Sequence, residues 1–304
     1  MRYGGIEAGG TTWTCAVTDG AGSVEEVESF PTTSPGETLD RAASFFQGTE
    51  RLESVGIGCF GPIDLRIGSA IWGRITTTPK PGWADVDVVG ALAEKLDVPF
   101  AFDTDVNASA VGEATWGAAV GLKTFCYVTV GTGIGAGLVA NGEVLHGLLH
   151  PELGHVRVPH DFERDPFAGS CPFHGDCLEG LASGEALRAR WGRPAEELQD
   201  EHQVWDLEAD YLALALTNLV CTISPELIII GGGVANSPTL LPLIREKLGA
   251  LSGGYVGAEQ FGCSVEEFVV LPALGPLAGV LGAAELGRRR TQGVSPSKDE
   301  RETT

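Results

Sequence analysis

Between residues 155 and 177 the chain places two imidazoles and two thiols: His155, Cys171, His174 and Cys177. Two sulfurs and two ring nitrogens at this close spacing are the donor set of a tetrahedral zinc site. Four protein ligands leave no open coordination position. Such a zinc is structural and closes a loop that has little core of its own. Ordinary buried thiols, or a disulfide, are the other readings of the same cysteines. Glu152 and Glu179 bracket the stretch, so the loop reads as a scaffold that holds two carboxylates toward a ligand.

Three glycine turns could hold an anion. The first is Gly9-Gly10-Thr11-Thr12, between two short apolar runs; the second is Gly131-Thr132-Gly133, in the same setting; the third is Gly231-Gly232-Gly233, after a buried apolar run. Without side chains in the way, backbone N–H groups of such turns can approach phosphate oxygens. No Gly-x4-Gly-Lys-Ser/Thr occurs, and the glycine run at 131–137 lies between two predicted strands rather than opening a helix. A P-loop and a dinucleotide-binding fingerprint are therefore excluded. Asp105 falls where a predicted strand ends and a helix begins, the position of ligand crevices in open α/β sheets; an N-cap role is the alternative for an aspartate there. The segment 72–83, rich in Thr, Pro, Gly and Trp, reads as a rigid pocket-shaping loop suited to a sugar, or simply as a capping loop.

These residues must be carried by elements of both periods. Strands are predicted at 3–8, 13–18 and 23–30, 54–60, 98–102, 125–130, up to 140 after the second glycine turn, at 227–230 and at 268–271. Helices are predicted at 34–47, 88–96, from near 108 to 116, and at 181–191, 205–223 and up to 290. The strand, Gly-Thr turn, strand, tight turn pattern occurs twice, about 120 residues apart, and implies a duplicated α/β unit.

Composition narrows the class. The chain has 304 residues, 41 acidic against 20 basic, and a formal net charge of −21. Nucleic-acid binding is excluded on charge, since phosphate backbones demand a basic face. Only five residues are lysine; solubility through charge accounts for this, and a salt-adapted host is the other reading. No apolar run approaches the ~20 residues needed to span a bilayer. The N-terminus lacks an apolar signal core, so the expected location is cytoplasmic, with no membrane partner. Of seven cysteines, Cys15, Cys59, Cys126 and Cys221 sit in apolar runs and are expected as buried thiols in a reducing compartment.

Jointly, residues 4–11 (GGIEAGGT), 104–107 (TDVN), 131–137 (GTGIGAG), 150–155 (HPELGH), 177–184 (CLEGLASG) and 230–233 (IGGG) resemble the ROK family of sugar kinases, within the actin/hexokinase/Hsp70 superfamily. The segments 60–64 (FGPID), 78–83 (TPKPGW) and 171–177 (CPFHGDC) look most like its bacterial fructokinases. The resemblance implies an α/β, two-lobed actin-like ATPase (ribonuclease H-like) fold with duplicated mixed-sheet units. The N-terminal lobe would span 1–112 and the C-terminal lobe 113–290 with the zinc loop, the last helix, about 276–290, able to pack back on the first lobe. A disordered tail would follow at 291–304.

It further implies Asp105 as general base, with Gly61, Asn107, Glu152, His155 and Glu179 on the sugar. Gly9, Gly10, Thr11, Thr12, Gly131, Thr132 and Gly133 would cradle ATP phosphates, and Gly232 and Gly233 would face the adenosine. Mg²⁺ would arrive with the nucleotide, and a structural Zn²⁺ would be held by His155, Cys171, His174 and Cys177. The implied activity is phosphorylation of fructose to fructose 6-phosphate by a homodimer; glucose, mannose and N-acetylhexosamine kinases are the alternatives. A sugar-responsive regulator is disfavoured, because the chain starts directly at the first hairpin and is strongly acidic. Three positions depart from the family pattern. Thr12 replaces a usual lysine, His174 replaces a usual cysteine, and Thr104 replaces the asparagine of glucose-type members.

Overall fold

The computed structural model describes residues 1–255 and 263–293, which divide into two compact units: Met1–Gly112 with the segment from Gly279, and Glu113–Ala278. In the first, strands β1 (Arg2–Ala8), β2 (Thr12–Thr18) and β3 (Val24–Pro31) form an antiparallel meander. Then come α1 (Pro35–Gln47), β4 (Leu52–Cys59), α2 (Val88–Ala93), β5 (Phe100–Thr104) and α3 (Asp105–Trp116). Both β4 and β5 run parallel to β1, and the sheet order is β3-β2-β1-β4-β5. Edge strand β3 exposes Glu25 and Glu26, charges that discourage edge-to-edge pairing. The core on one sheet face gathers Ile6, Trp13, Val55, Ile57 and Phe102 against Leu39 and Phe46 of α1.

The second unit repeats this plan. It contains β6 (Phe125–Val130), β7 (Ile134–Ala140), β8 (Glu143–Val144), α4 (Leu178–Ala182), α5 (Gly184–Trp191), α6 (His202–Ile223), β9 (Leu227–Gly231), α7 (Leu240–Ser252), α8 (Val265–Phe268) and β10 (Val269–Val270). Its sheet order is β10-β9-β6-β7-β8: β7 is antiparallel to β6 and to β8, and β9 is parallel to β6 and to β10. The topology is the same as in the first sheet, with β6 in the place of β1. Leu212, Leu216 and Leu219 of α6 lie in a core with Val128, Leu181, Ile228 and Ile230.

The last helix, α9 (Ala278–Thr291), packs on the first unit's sheet. Backbone of α9 at Val280 and Ala283 lies directly over Gly5 of β1 and Gly56 of β4, which pair with each other. A Cβ at either glycine would collide with an α9 carbonyl, so these positions permit the close approach.

Several sequence expectations are corrected. Helix α3 starts at Asp105 rather than near 108, because the Thr104 hydroxyl accepts the Asn107 backbone N–H at 3.1 Å and caps the helix itself. The segment expected as one helix at 181–191 is two, α4 and α5. They break at Ser183, which is extended and accepts the Ala186 N–H at 3.1 Å. The strand expected at 268–271 is only Val269–Val270, with α8 before it. Cys221 is exposed, on the solvent side of α6. From residue 294 onward, the tail expected at 291–304 lies outside the described residues.

Candidate functional site

In the first unit the parallel register aligns Ala8, Cys59 and Thr104 side by side at the carboxyl ends of β1, β4 and β5. The residues that follow each end therefore share one sheet edge: the Gly9–Thr12 turn, Gly61 and Asp105. The turn is tight. The Gly9 N–H donates to the Thr12 carbonyl at 3.0 Å, while Thr32 clamps it from outside, its N–H donating to the Thr11 carbonyl at 2.9 Å and its hydroxyl to the Gly9 carbonyl at 2.7 Å. The loop at 72–83 is anchored by Trp83, fully buried against Trp13 and Phe60 with ring centroids 5.7 and 5.5 Å away. The Trp83 indole N–H donates to the Thr33 carbonyl at 3.0 Å.

One register step earlier, Glu7, Gly58 and Asp103 form a row. Glu7 and Asp105 are both half-buried. Burial, then the charge of Asp105, raises Glu7 to about 7. Burial raises Asp105 to about 6, offset in part by the Val106 N–H, which donates to Asp105 Oδ1 at 2.8 Å. Because Thr104 caps α3, the aspartate is not consumed as its N-cap. Glu7 escaped the sequence reading of site residues; its signal was an acid embedded in an apolar strand two residues before a glycine turn. Asn107 behaves differently from its expected sugar contact. It is fully buried, and its amide donates to Asp103 Oδ1 at 2.6 Å, so it ties α3 to the end of β5.

In the second unit the Gly131 N–H donates to the Gly133 carbonyl at 2.9 Å. The first residues of α5 pin this turn: the Gly184 N–H reaches the Gly131 carbonyl at 2.7 Å and the Glu185 N–H reaches the Thr132 carbonyl at 3.3 Å. Gly232 has φ of +93° and sits against the Val130 carbonyl, a conformation and a clearance that suit glycine. The Gly131–Gly133 and Gly232–Gly233 turns thus meet at the carboxyl ends of β6 and β9. Glu179, half-buried in α4, accepts the Ile134 N–H through Oε2 at 2.9 Å, which fixes its carboxylate beside the Gly131–Gly133 turn.

The four metal-type donors converge. Cys171 Sγ lies 3.8 Å from His155 Nδ1 and 3.7 Å from His174 Nδ1, and Cys177 Sγ lies 3.5 Å from His155 Nδ1. All four donor atoms lie within 4.8 Å of one another. Donors at 2.0–2.3 Å around one ion form a tetrahedron with edges of about 3.3–3.8 Å, so the cluster fits a four-coordinate metal. The disulfide alternative fails, since all seven cysteines are free. His155 turns Nδ1 to the sulfurs, which leaves Nε2 for another partner. A hairpin-like turn brings Cys171 back on Gly175, whose N–H donates to the Cys171 carbonyl at 2.9 Å. Glu152 precedes the single 3₁₀ turn Leu153–His155, and its carbonyl accepts the His155 N–H at 3.0 Å.

Two glycine-turn edges on duplicated sheets, a base-type aspartate on one and an acid loop drawn together by two cysteines and two histidines on the other make a distinctive combination. The ROK family profile matches residues 3–290. The chain belongs to the ROK family. A fructokinase of Streptococcus mutans is 44% identical over 276 residues, covering 90% of this chain and 92% of that protein. A Bacillus subtilis protein described as a putative fructokinase is 40% identical, with 98% of this chain and 99% of the relative covered. Among solved structures, a ROK hexokinase from Thermus thermophilus superposes with a TM-score of 0.77 at 29% identity, over 96% of this chain and all of the other. Within the ROK family, then, the two mixed sheets are those of the two-lobed actin-like ATPase fold.

Proposed function

We propose that the chain is an ATP-dependent hexose kinase whose preferred substrate is D-fructose and whose product is fructose 6-phosphate. The observation that carries the reading is Asp105, a half-buried carboxyl raised to about 6, left uncommitted by the helix cap and set on the same sheet edge as a glycine turn. A general base is most effective when its pKa lies near the working pH. In the proposed step the Asp105 carboxylate accepts the proton of the sugar's 6-hydroxyl. The hydroxyl oxygen bonds to the γ-phosphorus of ATP, the bond from that phosphorus to the β,γ-bridging oxygen breaks, and ADP departs. Little covalent help is needed for phosphoryl transfer; alignment and charge neutralisation do most of the work.

Glu152, Glu179, His155 through Nε2, and the backbone at Gly61 would hold the other sugar hydroxyls. The backbone at Gly9, Gly10, Thr11, Thr12, Gly131, Thr132 and Gly133 would receive the ATP phosphates, and Gly232 and Gly233 would border the adenosine. Mg²⁺, held mainly by phosphates and water, would neutralise phosphate charge. The cysteine–histidine cluster would hold one structural Zn²⁺ and keep His155 oriented. Among the described residues no helix is long and apolar enough to cross a membrane, and the working form is proposed to be a cytoplasmic homodimer.

Fructose is favoured over glucose on two grounds: the relatives bearing the name fructokinase, and Thr104, whose hydroxyl is used on the Asn107 backbone N–H and offers a sugar no amide. A coupled ADP-release assay over fructose, glucose, mannose and N-acetylhexosamines is expected to give the highest kcat/KM on fructose. Glucose turnover far above fructose would reverse that assignment.

Asp105 also sets a pH dependence. It must be ionised to act, so kcat is expected to fall as pH drops through about 6. A kcat that stays level through that range would take Asp105 out of the role of base. Folding linkage has the opposite sign. Carboxyls raised above their unfolded values of about 4 favour the fold at low pH, and that contribution is lost as pH rises past 6–7.

A further inference from the structure

The approach to the cysteine–histidine loop carries a histidine to which the scheme above gives no role. Leu148 and Leu149 are exposed, and the Gly147 N–H donates to the Leu149 carbonyl at 2.8 Å, turning the chain. The next side chain, His150, is only 5% exposed, and its Nδ1 lies 3.3 Å from Glu152 Oε1, whereas the Glu152 side chain is 41% exposed. Pro151 between them disfavours helical backbone at His150. In extended backbone, side chains two apart fall on the same side, which is how an imidazole reaches the carboxylate two residues on. The backbone of Glu152 is fixed separately, through its carbonyl to the His155 N–H. The half-exposed acid is therefore held through its backbone and met at its carboxylate by the imidazole.

We propose that His150 is a positioning residue for sugar recognition: through Nδ1 it orients the Glu152 carboxylate toward the substrate hydroxyls. The inference rests on the hexose-kinase reading and deepens it, adding a specificity element outside the metal ligands. The imidazole does not touch the reacting atoms. Its contribution belongs to substrate affinity, not to the chemical step or to ATP.

Three substitutions test it in the full-length protein. In His150→Asn the amide nitrogen takes the place of Nδ1 and keeps a donor toward Glu152. His150→Leu fills the space and removes the donor. Glu152→Gln is used alone and combined with His150→Leu. His150→Leu is expected to raise the KM for fructose about tenfold or more, the scale of one hydrogen bond to a charged group. KM for ATP and kcat should stay within about twofold. His150→Asn should recover most of the loss. In the Glu152→Gln background, His150→Leu should add little, because the histidine acts through that carboxylate. The proposal is overturned if fructose KM is unchanged in His150→Leu, if kcat and the ATP KM fall away together with it, or if the two single effects simply add. A wild-type protein that turns over no hexose is a different result: it defeats the kinase reading itself, and the inference with it.

Discussion

Asp105→Asn is expected to lower turnover by at least ~100-fold, the low end for removal of a general base, while sugar affinity and melting temperature stay near wild type. The structure explains why the loss should be confined to chemistry. The N-terminus of α3 is capped by Thr104, so the helix start does not depend on the aspartate. The Val106 N–H, which donates to Asp105 Oδ1, can donate equally to an asparagine oxygen. Burial penalises the ionised aspartate, so a neutral isostere removes a cost instead of adding one. Single-turnover phosphorylation measured beside fructose binding by calorimetry separates the two effects. Near-normal turnover would remove Asp105 from the role of base; lost binding together with a lower melting temperature would make it a structural residue.

The second large effect concerns the cysteine–histidine cluster. Metal analysis of purified protein is expected to give about one zinc per chain, and Cys177→Ser or a strong chelator should abolish it. Cys177 is fully buried and stands at the N-cap of α4, two residues before Glu179. Metal loss therefore frees one end of the short helix that carries Glu179 and releases His155 from the sulfurs. The expected consequence is a fall in melting temperature of about 10 °C, equivalent to roughly 3–5 kcal/mol for a chain of this size, because binding energy at such a site is folding energy. The KM for sugar should rise more than the KM for ATP. Active, zinc-free protein of unchanged stability would exclude a structural metal.

Local spacing made parts of this site legible before any coordinates. The metal donors lie within one loop, and the structure brings all four together. The glycine turns announce themselves between apolar runs, and their repetition revealed the duplicated sheet, since each turn is built from residues adjacent in the chain. Asp105 could be singled out from its place between a strand and a helix.

Other features depended on residues far apart in sequence. The register β1–β4–β5 gathers Glu7 and Asp105 at one end of the sheet, and their raised pKa values follow from burial, to which the charge of Asp105 adds for Glu7, and a strand pattern states neither. The break at Ser183 and the start of α3 at Asp105 turned on which hydroxyl faces which N–H, a matter of dihedral angles. Asn107, expected on the sugar from the family resemblance, is buried on Asp103 in the fold. The resting place of α9 on Gly5 and Gly56 became apparent only when its backbone met theirs. By itself the sequence determined the chemical inventory, the turns and the cysteine–histidine loop, because these are set by neighbours along the chain. The tertiary structure decided which acids are neutral, which polar groups are already engaged and which remain for a substrate, because burial and partner choice are properties of the packed sheet.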